Sequence, residues 1–324
     1  MGAVFKARGE DKEMSSPMSI LFWIVVIPGT VLLGLVASWI VRKVSALVQW
    51  RVGPPFWQPF YDVVKLVGKE ILIPQDGQQT VFITAPIVGM AGALVLSMML
   101  WRITVAQTAF VGDIIVAIYL MVLPSLALIL GSSASGSPHA SIGTSREMKL
   151  VMSYELPLVM AFVVVIIKTG GQLNLATIAE HTPALSISGM LAFLVSLLCV
   201  QAKLGFVPFD IAEAETELGS GVLMEYSGAL LAIWKLMQAI MLVALPLFLV
   251  MVFLGGIGTS SWGDLLAGVG KYVLVLVLII LIKNTNPRMR IDQAMKFFWV
   301  YCGTALVVAI ALATIGNNYG LNWL

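Results

Sequence analysis

Residues 228–254 read GALLAIWKLMQAIMLVALPLFLVMVFL, a run with a single charged side chain, Lys235. A helix needs about 20 mostly apolar residues to cross the hydrocarbon core of a bilayer, so this run predicts a transmembrane helix. Seven further runs meet the same condition, at 19–41, 82–103, 114–131, 149–168, 187–206, 266–282 and 297–315. The sequence therefore predicts an all-α integral membrane protein with about eight spans. The run at 266–282 is expected to be broken near its start by Gly268, Gly270 and Lys271.

The composition also indicates a membrane protein. Of the 324 residues, 59% are apolar and 11% are charged, whereas soluble domains have about 45–50% and about 25%, which argues against a water-soluble enzyme. A net charge of +2 without a long basic run argues against a nucleic-acid partner. Cys199 and Cys302 lie far apart inside apolar runs, so neither a disulfide framework nor a metal site or cluster is expected in this chain.

Lys and Arg residues are distributed unequally between the two sides of the membrane. With eight spans, loops 1, 3, 5 and 7 and their borders hold twelve of them, and the opposite side holds six. Cytoplasmic loops carry the excess of positive charge, so these loops are predicted to be cytoplasmic and both termini external. Residues 19–324 then form a single transmembrane domain. Residues 1–18 are a polar arm that lacks the apolar core of a signal peptide, and could be an ordered arm, an upstream start or an added extension.

Loop 1 contains a predicted amphipathic helix at about residues 56–73. After Gly53-Pro54-Pro55, which stops a helix, apolar and polar side chains fall on opposite faces at helical spacing. The charged residues of this segment are Arg51, Asp62, Lys65, Lys69 and Glu70. Two hypotheses fit: a surface helix that only rests on the lipid headgroups, or a platform where a soluble partner docks beside the mouth of a cavity.

Two carboxylates belong to the fourth span. Glu147 lies at its predicted cytoplasmic edge, and Glu155 lies about two helical turns deeper. A carboxylate at that depth is costly unless it faces protein or water. Glu155 therefore either takes part in a proton or ion relay or pairs with a Lys or Arg of a neighbouring helix.

Loop 5, at about residues 208–227, is strongly acidic. It carries five carboxylates without Lys or Arg: Asp210, Glu213, Glu215, Glu217 and Glu225. If the segment after Pro208 is helical, Asp210, Glu213 and Glu217 share one face. Carboxylates about 6 Å apart repel by roughly 3 kcal/mol, so some are expected to keep a proton at neutral pH. This property suits a relay; the alternative is a solvated acidic loop that faces a basic patch on a partner.

Two further sets of charges are candidates. Arg288, Arg290 and Asp292 precede the last span, where the arginines either follow the positive-inside rule or supply counter-charge to the acids of loop 5. Lys235, two turns into its span, either extends back to the cytoplasmic surface or pairs with a carboxylate of the bundle.

These segments resemble the H-type membrane anchor subunit that is shared by respiratory complex I and the group 4 membrane-bound NiFe hydrogenases. The matching residues run in order along the chain: Arg51, Gly53, Pro54, Gln58, Pro59, Asp62, Lys65, Leu66, Lys69 and Glu70; Pro208 to Asp210, Glu213 to Glu215 and Glu225 to Gly228; and Arg288, Arg290, Asp292 and Gln293.

The resemblance implies a non-catalytic subunit of an oxidoreductase complex in the cell membrane. Its expected partners are a soluble NiFe-hydrogenase-like large subunit, iron–sulfur subunits and antiporter-like membrane subunits. The NiFe centre and the iron–sulfur clusters are expected on those partners, with no cofactor in this chain. Glu155 and the acids of loop 5 would lead into the ion-conducting path, and the charged residues of loop 1 would form the docking helix at the cavity mouth, with Arg288 and Arg290 beside it.

Two departures from complex I favour the archaeal hydrogenase or sulfur-reducing branch over a quinone oxidoreductase. The stretch around Gly53-Pro54-Pro55 is short, and Ala202, Lys203 and Phe206 stand before Pro208 where relatives of complex I tend to have an Ala-Glu…Arg pattern.

Two other classes are weighed against a coupling subunit for proton or sodium transport. They are a stand-alone transporter, against which the lack of a visible internal repeat argues, and a purely structural anchor.

Overall fold

The computed structural model describes residues 16–75, 77–106, 109–214, 217, 219–258, 261–321 and 323. Most of the predicted polar arm at 1–18 lies outside these residues. The longer helices are α1 (Ser16–Val48), α2 (Gln58–Val67), α3 (Gln79–Ala106), α4 (Asp113–Ala134), α5 (Pro138–Lys168), α7 (Ile187–Lys203), α8 (Gly228–Phe253), α9 (Trp262–Thr285) and α11 (Gly303–Tyr319). Two short helices are α6 (Leu175–Ile178) and α10 (Ile291–Lys296), and a π-helical turn at Phe297–Cys302 joins α10 to α11. No strand occurs in the described ranges, which confirms the all-α prediction.

The membrane spans agree with the sequence prediction. Within the described chain, seven helices are long and apolar enough to cross a bilayer: α1, α3, α4, α5, α8, α9 and the continuous run Ile291–Tyr319. A bent pair of helices makes an eighth span if its two halves cross the membrane together: Leu175–Leu185 meets Ile187–Lys203 at 106°. The 187–206 run is thus a 17-residue helix with a sharp bend before it, rather than a simple straight span.

The prediction of a break in the seventh span was wrong, because α9 is continuous from Trp262 to Thr285. Gly268 serves packing instead. A Cβ atom at Gly268 would lie 2.5 Å from the Ile257 side chain, so the missing side chain lets the 254–258 segment approach the helix closely.

Helix α8 forms the centre of the bundle. Of its most apolar 18 residues, 89% are buried inside the protein, against 28% of the corresponding residues in α1 and in α9. It packs against α1, α3, α7 and α9. Pro246 cannot donate a backbone hydrogen bond, which frees the carbonyl of Leu242 four residues earlier. The Tyr272 hydroxyl of α9 donates to that carbonyl at 3.4 Å. The span with the fewest polar residues is thus also the most deeply buried one.

Loop 5 is not helical at Pro208–Ala214, so the condition under which Asp210, Glu213 and Glu217 would share a helical face is not met. Tertiary contacts hold the chain in a turn instead. The Gln201 side chain donates to the Val207 carbonyl at 2.7 Å, and the Met289 N–H donates to the Pro208 carbonyl at 3.0 Å. Loop 5 is thus fixed between the end of α7 and the segment before α10.

Candidate ion pathway and docking face

A cavity of about 340 Å³ opens between α2 and the bundle, as expected under one of the two hypotheses for loop 1. Its walls come from α1, α2, α4, α5, the end of α7, loop 5, α8 and α9. Eight ionisable side chains line it, four acidic and four basic: Asp62, Glu147, Asp210, Glu213, Arg42, Lys203, Lys235 and Lys283. Such a density of charge inside a membrane bundle is costly unless the groups face water or each other. The cavity therefore combines a polar interior with the apolar shell of the spans.

Helix α2 is shorter than predicted and is fixed to α1 at its N-terminal end. Trp39 donates its indole N–H to the Pro54 carbonyl at 3.2 Å, and its ring lies 5.1 Å from that of Phe56. Arg42 donates to the Asp62 carboxylate at 2.7 Å. Burial raises the pKa of Asp62, but the hydrogen bonds from Arg42 and Gln58 outweigh it, and the net pKa is below its ordinary value. Asp62 is therefore a charged anchor of α2.

The C-terminal end of α2 is fixed to the start of α8. The Ser227 hydroxyl accepts from the Leu72 N–H at 2.9 Å and donates to the Glu70 carbonyl at 3.3 Å. Gly228 has a φ of +56°, and a Cβ atom there would lie 2.6 Å from the Glu70 oxygen. The neighbouring Tyr226 is buried and stacks on Phe82, with ring centroids 4.1 Å apart. The Glu-Tyr-Ser-Gly motif thus holds α2 on the bundle.

Glu155 has the basic partner that the sequence left open. The Lys203 ammonium donates to Glu155 Oε1 at 2.5 Å and to the Met121 carbonyl at 3.1 Å, and it lies 5.2 Å from the centre of the Tyr154 ring. The Lys203 side chain is 0% exposed and that of Glu155 is 19% exposed. Lys203 was not among the predicted site residues. One signal could have identified Lys203. It stands at the end of an apolar span, and Glu155 was expected at a similar depth and needed a basic partner.

A second polar chain lies on the α8 wall of the cavity. Gln238 donates to Glu213 Oε1 at 2.9 Å, and the Lys235 ammonium donates to Gln238 Oε1 at 3.3 Å. Lys235 therefore connects to a carboxylate through an amide rather than directly. Glu147 lines the same cavity and makes no hydrogen bond or ion pair with the part of the chain that the structure describes. It interacts electrostatically with Glu213 and Lys203.

Two ion pairs join loop 5 to its surroundings. Arg288 donates to both oxygens of Asp210, at 2.7 and 2.6 Å, which confirms that this arginine supplies counter-charge to loop 5. Arg146 donates to Glu217 at 2.7 Å, and this hydrogen bond lowers the pKa of the exposed Glu217 carboxyl. Glu217 is not part of the cavity wall. The acids of loop 5 thus divide between the cavity and the outer surface.

The other predicted residues do not converge on the cavity. Glu225 is half-buried and is not part of its wall. Six residues lie exposed on the protein surface: Arg51, Lys65, Lys69, Glu70, Arg290 and Asp292. Glu215 lies outside the described residues. No group of three or more His, Cys, Asp or Glu side chains that could hold a metal occurs in the described part of the chain.

Comparison with known proteins gives one family. The family model described as NADH dehydrogenase matches residues 20–314. The chain is 32% identical to the H subunit of NADH-quinone oxidoreductase from Anoxybacillus flavithermus, over 90% of this chain and 91% of the relative. It is 34% identical to the protein of the same name from Thermomicrobium roseum, over 88% and 91%.

A solved structure has a similar fold. It belongs to the membrane-bound sulfane sulfur reductase, an archaeal respiratory membrane complex. It superposes with a TM-score of 0.83 at 25% identity, covering 91% of this chain and 99% of the other. The predicted resemblance is therefore confirmed at the level of the family.

Proposed function

This chain belongs to the family of the NADH-quinone oxidoreductase H subunit, and from that premise we propose that it is the membrane anchor and coupling subunit of an ion-translocating redox complex. The observation that carries the proposal is the cavity, where four carboxylates and four basic groups meet beneath an amphipathic helix that is fixed to the bundle at both ends. Redox chemistry in a docked module would shift charge at the cavity mouth, and these groups would respond by moving protons or cations inward.

The docking face consists of α2 and the exposed charged residues around it. Arg51, Lys65, Lys69 and Glu70 project from this segment, and Arg290 and Asp292 lie exposed just before and within α10. A soluble NiFe-hydrogenase-like large subunit with iron–sulfur subunits would sit here, on the cytoplasmic side, and would hold all the metal centres. Antiporter-like membrane subunits would contact the spans and complete the ion path.

Different observations favour different electron acceptors for the complex. Similarity to the sulfane sulfur reductase complex and the departures before Pro208 favour a hydrogenase or sulfur-reducing complex. The higher identity to curated NADH-quinone oxidoreductase subunits favours a quinone-reducing complex as the second candidate. Purifying the complex from native membranes and identifying its subunits tests this choice, because a nickel-containing large subunit is expected in a hydrogenase and not in a quinone-reducing complex.

The coupling role is tested by Glu213→Gln in the whole complex, with ion transport and redox turnover measured together. The amide keeps the shape of the side chain and its hydrogen bond to Gln238 but cannot exchange a proton. We expect transport to fall by about tenfold or more while redox turnover persists. Glu180→Gln, which changes an exposed carboxylate away from this cavity, is the matched control. Unchanged transport in the Glu213 variant would contradict the proposal.

A further inference from the structure

Lys203 lies between the charged cavity and Glu155. It belongs to the cavity wall, whereas Glu155 does not. An ammonium group has three N–H donors, and two of them are used by Glu155 and the Met121 carbonyl. The third is therefore left for water or a carboxylate in the cavity. Lysine carries its charge on a flexible four-carbon stem, so the ammonium can change partners without movement of the helix.

The exposed part of Glu155 opens on the outer face of α5. Residues three and four positions away on a helix share its face. Met152, 66% exposed, and Val159, 39% exposed, stand at these positions on either side of Glu155. The carboxylate thus has Lys203 on its inner side and the apolar surface of the bundle on its outer side. A negative charge there is tolerable only while Lys203 compensates it.

Glu147 is the second carboxylate within electrostatic range of Lys203. It lies on the same helix as Glu155, about 12 Å away along the axis, and faces the cavity. Lys203 therefore has one acidic neighbour in the cavity and one towards the outer face. At any moment a single ammonium group can compensate only one ionised carboxylate of the two.

We propose that Lys203 is a charge switch that couples proton uptake at Glu155 to proton loss at Glu147. In the first state of this switch, Lys203 pairs with ionised Glu155, which is the contact found in this structure, and Glu147 carries the proton. The ammonium then turns towards the cavity, and the proton that Glu147 releases moves through water to Glu155. One O–H bond breaks at Glu147, one forms at Glu155, and the three groups keep a net charge of zero in both states.

This inference rests on the proposed function, because the proton must be delivered to the cavity by redox events and collected at the outer face of α5. It names Lys203 as the residue that controls the step, a positioning role rather than a catalytic one. A purely structural ion pair would hold α5 against α7 but would need no second carboxylate within range of the ammonium.

The test uses the whole complex in liposomes, with protons moved per redox turnover as the readout. Lys203→Gln can still donate a hydrogen bond to Glu155 but carries no charge, and Lys203→Arg keeps the charge but holds a carboxylate by two bonds and does not release it readily. We expect the ratio to fall by about tenfold or more in each variant that assembles. Lys271→Gln is the control, since its ammonium bonds the Gly256 carbonyl outside this cavity.

A second readout separates the switch from a structural role. Redox-induced infrared difference spectra should contain one protonated carboxyl band that is lost, absent in Glu147→Gln, and one that is gained, absent in Glu155→Gln. Both bands should vanish in Lys203→Gln. An assembled Lys203 variant that pumps at the wild-type ratio, or that keeps both bands, would overturn the inference. If Glu213→Gln abolishes transport while the Lys203 variants pump normally, this inference alone fails; if Glu213→Gln has no effect, the proposed function fails.

Discussion

The Arg288 guanidinium holds the Asp210 carboxylate by two hydrogen bonds, of 2.7 and 2.6 Å, across a separation of 78 residues. This contact joins loop 5 to the segment that leads into the last span. The side chains of both residues are mostly buried, with 29% and 16% of their surface exposed. Because Asp210 also lines the cavity, the contact fixes one wall of the candidate ion path.

Arg288→Lys should loosen this wall. A lysine supplies a point charge and cannot form the planar two-bond contact, so one charged hydrogen bond is lost. We expect the variant to be destabilised by about 1.5–3 kcal/mol, seen as a lower thermal unfolding midpoint of the purified complex. Lys296→Arg, an exposed change on α10, is the control and should leave the midpoint in place.

The Asp62–Arg42 contact should make the attachment of α2 sensitive to acid. The folded pKa of Asp62 is lower than its ordinary value of 3.8, so the contact stabilises the fold above that value, and this contribution disappears as the pH falls through the lowered folded pKa. Arg42→Gln removes a hydrogen bond and a charge that lower this pKa. We expect its titration midpoint to rise in the variant, measured by NMR on protein with labelled aspartate; an unchanged midpoint would mean that Arg42 does not hold the carboxylate.

Gly228→Ala should detach the end of α2 from α8. The residue has a left-handed φ of +56°, and its new Cβ would meet the Glu70 carbonyl at 2.6 Å. We expect a loss of about 1–3 kcal/mol and faster proteolysis at residues 68–75. Gly270→Ala is the matched control, because nothing lies within 4 Å of its Cβ position in α9, and it should be neutral or slightly stabilising.

Cysteine labelling tests both the cavity and the orientation of the chain. Ser38 lies on the cavity wall, whereas Ser261 is exposed at the start of α9, at the opposite end of the bundle. The native Cys199 and Cys302 are buried. A membrane-impermeant thiol reagent should therefore label Ser38→Cys only from the cytoplasmic side and Ser261→Cys only from the other side. Labelling of both from one side would contradict the positive-inside prediction.

The number and type of the spans were predictable because they depend on local chemistry. Twenty apolar residues in a row have few alternatives to a membrane helix, and the amphipathic pattern of loop 1 is equally local. The details that depend on distant residues were not predictable. Loop 5 has acidic spacing that suits a helix, yet Gln201 and Met289 hold its start in a turn. Gly268, one of the glycines of α9 that suggested a break, instead allows the approach of Ile257.

The residues of the candidate site were likewise predictable only in part. The sequence identified Glu147, Asp210 and Glu213, because carboxylates next to apolar spans are conspicuous, and the structure places all three in the lining of one cavity. It left the partner of Glu155 open, since Lys203 lies 48 residues away and its depth depends on where α7 ends. Charge pairing between helices is set by packing, which a single sequence does not specify.

The most direct test of the central claim is the number of ions moved per redox turnover by the whole complex carrying Glu147→Gln, reconstituted in sealed liposomes. Glu147 faces the cavity without a hydrogen bond to the described chain, so its replacement should disturb the fold little. We predict that substrate turnover continues while the ion-to-turnover ratio falls by about tenfold or more. A ratio equal to that of the unmodified complex would contradict the claim that these carboxylates carry the transported charge.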